Sequence, residues 1–170
     1  MEKDPQDKLY AKYPKIFRQK DLTIRESAMP WGICCGIGWF TIIDELCANI
    51  EQHIENKNWN IKHKKERGEL PQDAPNFPQV EATQVKEKFG GLRFYVNYSD
   101  DFIDGLISMA ESMSLRTCEF CGNPGLPNEE GWISTQCDPC RAQDEERRKK
   151  QLEEYQSKLT VKMKDVTVAP

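Results

Sequence analysis

Seven cysteines stand in this chain, and four of them form two Cys-x-x-Cys pairs, CEFC with Cys118 and Cys121, and CDPC with Cys137 and Cys140, fifteen residues apart. Such a turn presents two thiolates from one tight loop, with backbone amides aimed at the sulfurs, and two turns complete a tetrahedral shell. The spacing predicts one zinc ion held by Cys118, Cys121, Cys137 and Cys140. With sulfur at every corner no position is left for water, so the ion is expected to fasten structure rather than to catalyse. Gly122 permits the sharp turn after the first pair, and the second pair opens a helix whose dipole favours thiolate. Knuckle, short hairpin through residues 131–134, then a helix carrying the last ligands is the order of a treble-clef finger.

The other candidates are weaker chemistry. Adjacent thiols chelate poorly and Cys47 lies on an apolar stripe, so Cys34, Cys35 and Cys47 are expected to be buried thiols, with His53 outside any second metal site. Asp100, Asp101 and Asp104 have a spacing that suits a magnesium ion or, more simply, a helix N-terminus. Lys86, Lys88, Arg93, Tyr95 and Asn97 share one face of a predicted hairpin, a row of donors beside a ring that suits a phosphate or a nucleobase or is simply a solvated outer face. In WGICCGIGWF, glycines at 32, 36 and 38 with Trp31, Trp39 and Phe40 line a pocket or form a buried turn. Two basic clusters, Lys57, Lys62, His63, Lys64, Lys65 and Arg67, and Arg147, Arg148, Lys149 and Lys150, are candidate contacts for RNA, DNA or an acidic protein, though charge runs are usually just solvated. The second has Glu145, Glu146, Glu153 and Glu154 as helical neighbours, which favours solvated ion pairs. No Ser-His-Asp, Cys-His or HExxH arrangement is present, and an enzyme is not the expected reading.

Positioning these residues requires an α+β body. Pro5, Pro14 and Pro30 mark boundaries in an N-terminal segment that Tyr10, Tyr13, Ile16 and Phe17 pin to the core. Ile42, Ile43, Leu46, Cys47, Ile50 and Ile54 recur at helical spacing and predict a helix over 40–56, with Asp44 and Glu45 in its first turn. Residues 57–78 are polar and proline-rich and read as a long surface loop. Residues 79–98 predict a β-hairpin turning at Gly90 and Gly91, with Val85, Glu87 and Phe89 alternating against Lys86 and Lys88. A second helix over 100–114 is expected to bury Phe102, Ile103, Leu106, Met109, Ala110 and Met113. The result is a helix, β-hairpin, helix body over 1–115, then a zinc module over 116–170 that ends in a long charged helix with few apolar residues. Its last residues, 160–170, alternate weakly, as an edge strand or a loose end would. That helix stands in solvent or pairs with a partner or a second copy.

Composition narrows the class further. A net charge of −4 argues against gripping long duplex DNA by global charge. The first residues lack a secretory pattern and the longest apolar run, 31–43, is glycine-broken and too short to span a bilayer, so a cytoplasmic protein without membrane partners is expected. Cysteines there serve as metal ligands and buried thiols rather than disulfides.

The stretches YPKIF at 13–17, WG and GWF within 31–40, PQVEATQVKEKFGGLRFYV at 78–96, CEFCGNPG and GWISTQC resemble an uncharacterised family of small proteins encoded by tailed bacteriophages and prophages. The resemblance covers most of 13–140 and is most specific over 84–95. It implies the cytoplasm of an infected bacterium and brings no catalytic residues. The expected function is a non-enzymatic phage accessory protein that acts stoichiometrically on a host protein or defence complex, or sequesters a nucleotide signal, through Trp31, Trp39, Lys86, Lys88, Arg93 and Tyr95. The alternatives are a zinc-finger nucleic-acid-binding protein and a magnesium-dependent enzyme acting on nucleotides. Zinc loss is expected to loosen the chain from Cys118 onward first.

Overall fold

The first element, helix α1 (Pro5–Lys12), starts where Pro5 meets an N-cap, the Asp4 carboxylate accepting from the Gln6 amide at 2.9 Å. The computed structural model describes residues 4–128 and 131–166, the last eight of these as backbone only. Tyr13, Ile16 and Phe17 bury the segment as expected, with Leu9 buried beside them and Tyr10 only half-buried, and its polar anchor is Asp44. The Lys12 ammonium and the Tyr13 hydroxyl both donate to that carboxylate at 2.8 Å. Burial alone would raise the Asp44 pKa, but these two donors outweigh it and hold the carboxyl below its usual range. Asp44 therefore ties α1 to the next helix and lies beyond that helix's first turn, which contains no acid.

Two-residue strand β1 (Ile33–Cys34) follows, and then helix α2 (Phe40–Glu66). Ile42, Ile43, Leu46, Cys47, Ile50 and Ile54 are all buried along one side of α2. Burying each such side chain contributes about 1.5–3 kcal/mol, and this stripe is the axis of the core. The helix does not stop at Asn56. It runs on to Glu66, because nothing between Lys57 and Glu66 breaks it, and ends at the first glycine. Gly68 takes a φ of 71°, and its amide and that of Glu69 return to the Lys65 and Lys64 carbonyls at 3.0 and 2.8 Å. His63, Lys64 and Lys65 in the last turn also suit the helix dipole.

Strands β2 (Ala82–Lys88) and β3 (Gly91–Val96) pair antiparallel, and β1 pairs parallel to β2, giving the order β1-β2-β3. Lys88 opposes Gly91, so the turn residues are Phe89 and Gly90, with φ of 54° and 76°. The turn sits one residue earlier than a Gly-Gly turn, and Phe89 is in the left-handed region rather than in the strand. Helix α3 (Asp101–Ser114) then packs beside α2 and β3. Its buried stripe is narrower than the sequence suggests: Ile103, Ala110 and Ser114 are buried, whereas Phe102, Met109 and Met113 are exposed. α3 also closes the sheet edge, since the β3 amides of Leu92 and Phe94 donate to Ser114 Oγ at 2.8 Å and Glu111 Oε1 at 3.3 Å.

The cysteine-rich segment contributes two short strands, β4 (Leu126–Pro127) and β5 (Thr135–Gln136), and helix α4 (Asp138–Val166) begins directly after Cys137. Residues 160–166 continue that helix instead of forming an edge strand, and residues 167–170 lie outside those described. Among the described residues, no helix is long and apolar enough to cross a membrane.

Candidate metal centre and sheet face

The sulfurs of Cys118, Cys121, Cys137 and Cys140 all lie within 4.8 Å of one another, and Cys121 Sγ is 3.6 Å from Cys137 Sγ. Four thiolates around one ion at about 2.3 Å sit about 3.8 Å apart, so the cluster suits a metal ion. All four thiols are free of disulfides. The local backbone builds this arrangement. Gly122 at a φ of 78° closes the first turn, its amide bonding the Cys118 carbonyl at 2.9 Å, and the Arg141 amide bonds the Cys137 carbonyl at 3.0 Å as α4 starts. Burial alone would raise the Cys118 thiol. Backbone amides of Cys137, Cys121 and Phe120 outweigh that and bring it down to about 7. A thiol so poised loses its proton readily to a metal. The Cys140 thiol goes the other way, raised chiefly by its hydrogen bonds to Cys137 and Cys121, so a cation must neutralise the set before all four can ionise together.

Of the glycines in the WGICCGIGWF segment, Gly32 lies in an open hollow beside Gln6, Tyr10 and Met29, whereas Gly36 and Gly38 let two backbones touch. A Cβ on Gly36 would lie 2.2 Å from the Glu119 carbonyl oxygen, and one on Gly38 would lie 2.2 Å from the Cys118 carbonyl oxygen. In the space they leave, the Gly38 amide donates to the Glu119 carbonyl at 2.8 Å and the Gly36 amide to Glu119 Oε1 at 2.9 Å. Trp39 completes the joint. Its side chain is fully buried and its indole N–H donates to the Thr117 carbonyl at 2.7 Å. Trp39 is thus a core residue and drops out of the recognition surface. A second joint forms at the hairpin tip, where the buried Thr135 hydroxyl donates to the Gly90 carbonyl at 2.5 Å. The cysteine knuckle therefore touches the body at two places, the segment after β1 and the tip of the β2–β3 hairpin.

The proposed recognition face is assembled in part. In the sheet register Cys34, Lys86 and Arg93 stand in one row, and Tyr95 pairs with Gln84 in the next. These positions face away from Ile33, Val85, Leu92 and Phe94, which are buried. Lys86 sits over the Tyr95 ring at 5.9 Å, a cation–π contact. Arg93 is partly committed, its guanidinium 3.6 Å from Glu111 Oε2. Lys88 is exposed and lies over the Phe89 ring at 5.4 Å. Trp31 is 70% exposed just before β1. Sequence reasoning missed Phe89, which is also 70% exposed. The signal was available: if Lys88 pairs with Gly91, the two-residue turn must use Phe89.

Two other groups of sequence candidates resolve as follows. Asp100 is the N-cap of α3: it accepts from the Ile103 amide at 3.1 Å, from His53 Nε2 at 2.8 Å and from Lys57 Nζ at 3.2 Å. With those three partners its carboxylate is committed, and among the described residues the four cysteines are the one group of three or more ligating side chains placed to hold a metal. The Asp100, Asp101 and Asp104 magnesium site is thus not formed. Of the three remaining cysteines Cys47 is buried and Cys35 half-buried, but Cys34 is exposed, because it falls on the outer face of β1.

No family model matches the chain, and neither a curated protein nor a solved structure matches it.

Proposed function

We propose that this chain is a non-enzymatic binding protein that acts stoichiometrically, with one structural zinc ion in the Cys118, Cys121, Cys137 and Cys140 cluster. The single observation that carries this reading is Phe89. A bulky side chain held in left-handed backbone, where L-residues other than glycine are disfavoured by about 1–2 kcal/mol, and left largely in water is not there for stability. Residues kept in such conformations cluster at active sites, ligand clamps and switch regions, and with no catalytic constellation beside Phe89 among the described residues, the ligand clamp is the role taken here. Phe89 sits at the tip of the hairpin whose outer face carries Lys86, Lys88, Arg93 and Tyr95, and Trp31 is exposed near the start of the neighbouring strand. Aromatic and arginine side chains are the usual anchors of protein interfaces. In this reading the zinc clip, with the knuckle, hairpin and helix order of a treble clef, holds the hairpin tip and orients the long C-terminal helix. The partner is a host protein or defence complex in the cytoplasm of an infected bacterium, or a nucleotide signal.

Native mass spectrometry of the protein drawn from bacterial cytosol, set against its denatured mass, tests this. The expected result is one zinc per chain together with a partner or nucleotide retained at a fixed ratio, lost in Phe89→Ala, Arg93→Ala and Tyr95→Ala variants that still fold. Retention unchanged in all three variants would place recognition elsewhere, and turnover of a nucleotide by catalytic amounts of protein would overturn the non-enzymatic reading.

A further inference from the structure

The last buried residue of α2 is Ile54, yet the helix continues for twelve residues, about 18 Å, as an arm with little core to serve. The return segment braces the arm: the Phe77 amide donates to Asn58 Oδ1 at 2.7 Å and Gln72 Nε2 to the Lys65 carbonyl at 2.9 Å. On its outer side Trp59 is 59% exposed and stacks on the His63 ring, centroids 3.8 Å apart and planes 24° from parallel. His63 is held for that stack by Nδ1 against the Trp59 carbonyl at 3.0 Å. Lys62 is one helical turn from Trp59 and adjacent to His63. Over residues 57–69 five cations face two carboxylates, in a chain whose total charge is negative. Arg67 is paired with Glu69 and Lys57 with Asp100; Lys62 reaches Glu66 only at 4.0 Å, and Lys64 and Lys65 form no direct ion pair among the described residues. The tail cluster differs, since Arg147 and Arg148 both pair with Asp144 and Lys150 with Glu146.

From this juxtaposition we infer that the outer end of α2 binds single-stranded nucleic acid, a base stacking on Trp59 and the phosphates running past Lys62, Lys64 and Lys65. An exposed indole stands at a helix end with excess positive charge, Lys62 on its own face and only weakly paired with Glu66, Lys64 and Lys65 further around the helix without an ion pair among the described residues. This arrangement fits a polyanion that also carries flat apolar faces, which an oligoglutamate lacks. A duplex hides those faces inside its stack. The site is separate from the sheet face, so it stands or falls without the proposal above.

Fluorescence anisotropy of a labelled twelve-nucleotide oligothymidylate with the full chain is the test, run beside a duplex of equal length and an oligoglutamate. The single strand should bind most tightly, with log K falling against log salt by about 0.7 per phosphate engaged. Trp59→Ala should weaken binding tenfold or more while Trp59→Phe retains most of it, and Lys64→Gln should lower the salt slope by about 0.7. Both sites are exposed, so far-ultraviolet circular dichroism should be unchanged. No binding at low salt, equal or tighter binding of the duplex or the oligoglutamate, or a Trp59→Ala variant that binds like the parent would overturn the inference.

Discussion

The two ends of α2 use similar residues for opposite purposes. At the N-terminal end, Trp39 is wholly buried and hands its indole proton to Thr117, and two glycines bring backbone onto backbone against the cysteine knuckle. At the far end Trp59 is exposed and stacked on His63, with exposed Glu55 and Lys62 one helical turn to either side. A tryptophan on a helix is therefore not a signal in itself. What decides its role is whether the chain elsewhere supplies a surface to cover it, and here the cysteine knuckle covers one end and nothing among the described elements covers the other.

Substitution should separate the ends sharply. Trp39→Ala removes a fully buried ring and leaves the Thr117 carbonyl unpaired, so a loss of about 3–5 kcal/mol is expected, and Gly38→Ala should cost about 1–3 kcal/mol because its Cβ meets backbone that cannot yield. Trp59→Ala should change stability by no more than about 0.5 kcal/mol. Urea denaturation of the three variants checks the ranking, and a large loss from Trp59→Ala would erase the contrast.

Acid probes the point where the core ends. Burial alone would raise the Asp100 carboxyl, but hydrogen bonds from His53, the Ile103 amide and Lys57 outweigh it and hold it at about 2. A folded-state value below the unfolded one stabilises the fold above about pH 4, and that contribution is lost as pH falls toward 2. Asp100→Asn should flatten the fall of thermal midpoint across that window. An unchanged slope would show that the cap and its His53 and Lys57 partners contribute nothing to the junction of α2 and α3.

One further expected effect is a gain. Phe89→Asn suits the left-handed backbone of the turn better and should stabilise the chain by up to about 1 kcal/mol while abolishing the retained partner. Stabilisation with undiminished partner retention would make Phe89 an ordinary turn residue.

How much of this was legible beforehand follows from the kind of signal each part carries. The four ligands were readable because two short spacings confine them locally, and α2 was readable as far as Ile54 because an apolar stripe has a period. Past Ile54 the stripe ends but the helix does not, since backbone continues until something stops it, and Gly68 is the first residue that does. From sequence the Gly36 and Gly38 joint stays open between a pocket and a buried turn, because a glycine's reason for being small lies in whatever approaches it, here Cys118 and Glu119, some eighty residues away. The exposed Met109 and Met113 carry the period of a buried stripe, so periodicity overcounted the core face of α3.

The central claim is that the metal cluster fastens the body and not merely its own loop. Hydrogen–deuterium exchange followed by mass spectrometry, on zinc-loaded protein and on protein treated with a chelator, tests it most directly. The joint geometry predicts that peptides covering residues 36–42 and 89–92 lose protection together with residues 118–136. Deprotection confined to residue 118 onward, with the helix and hairpin unchanged, would contradict it and return the clip to the status of a separate appendage.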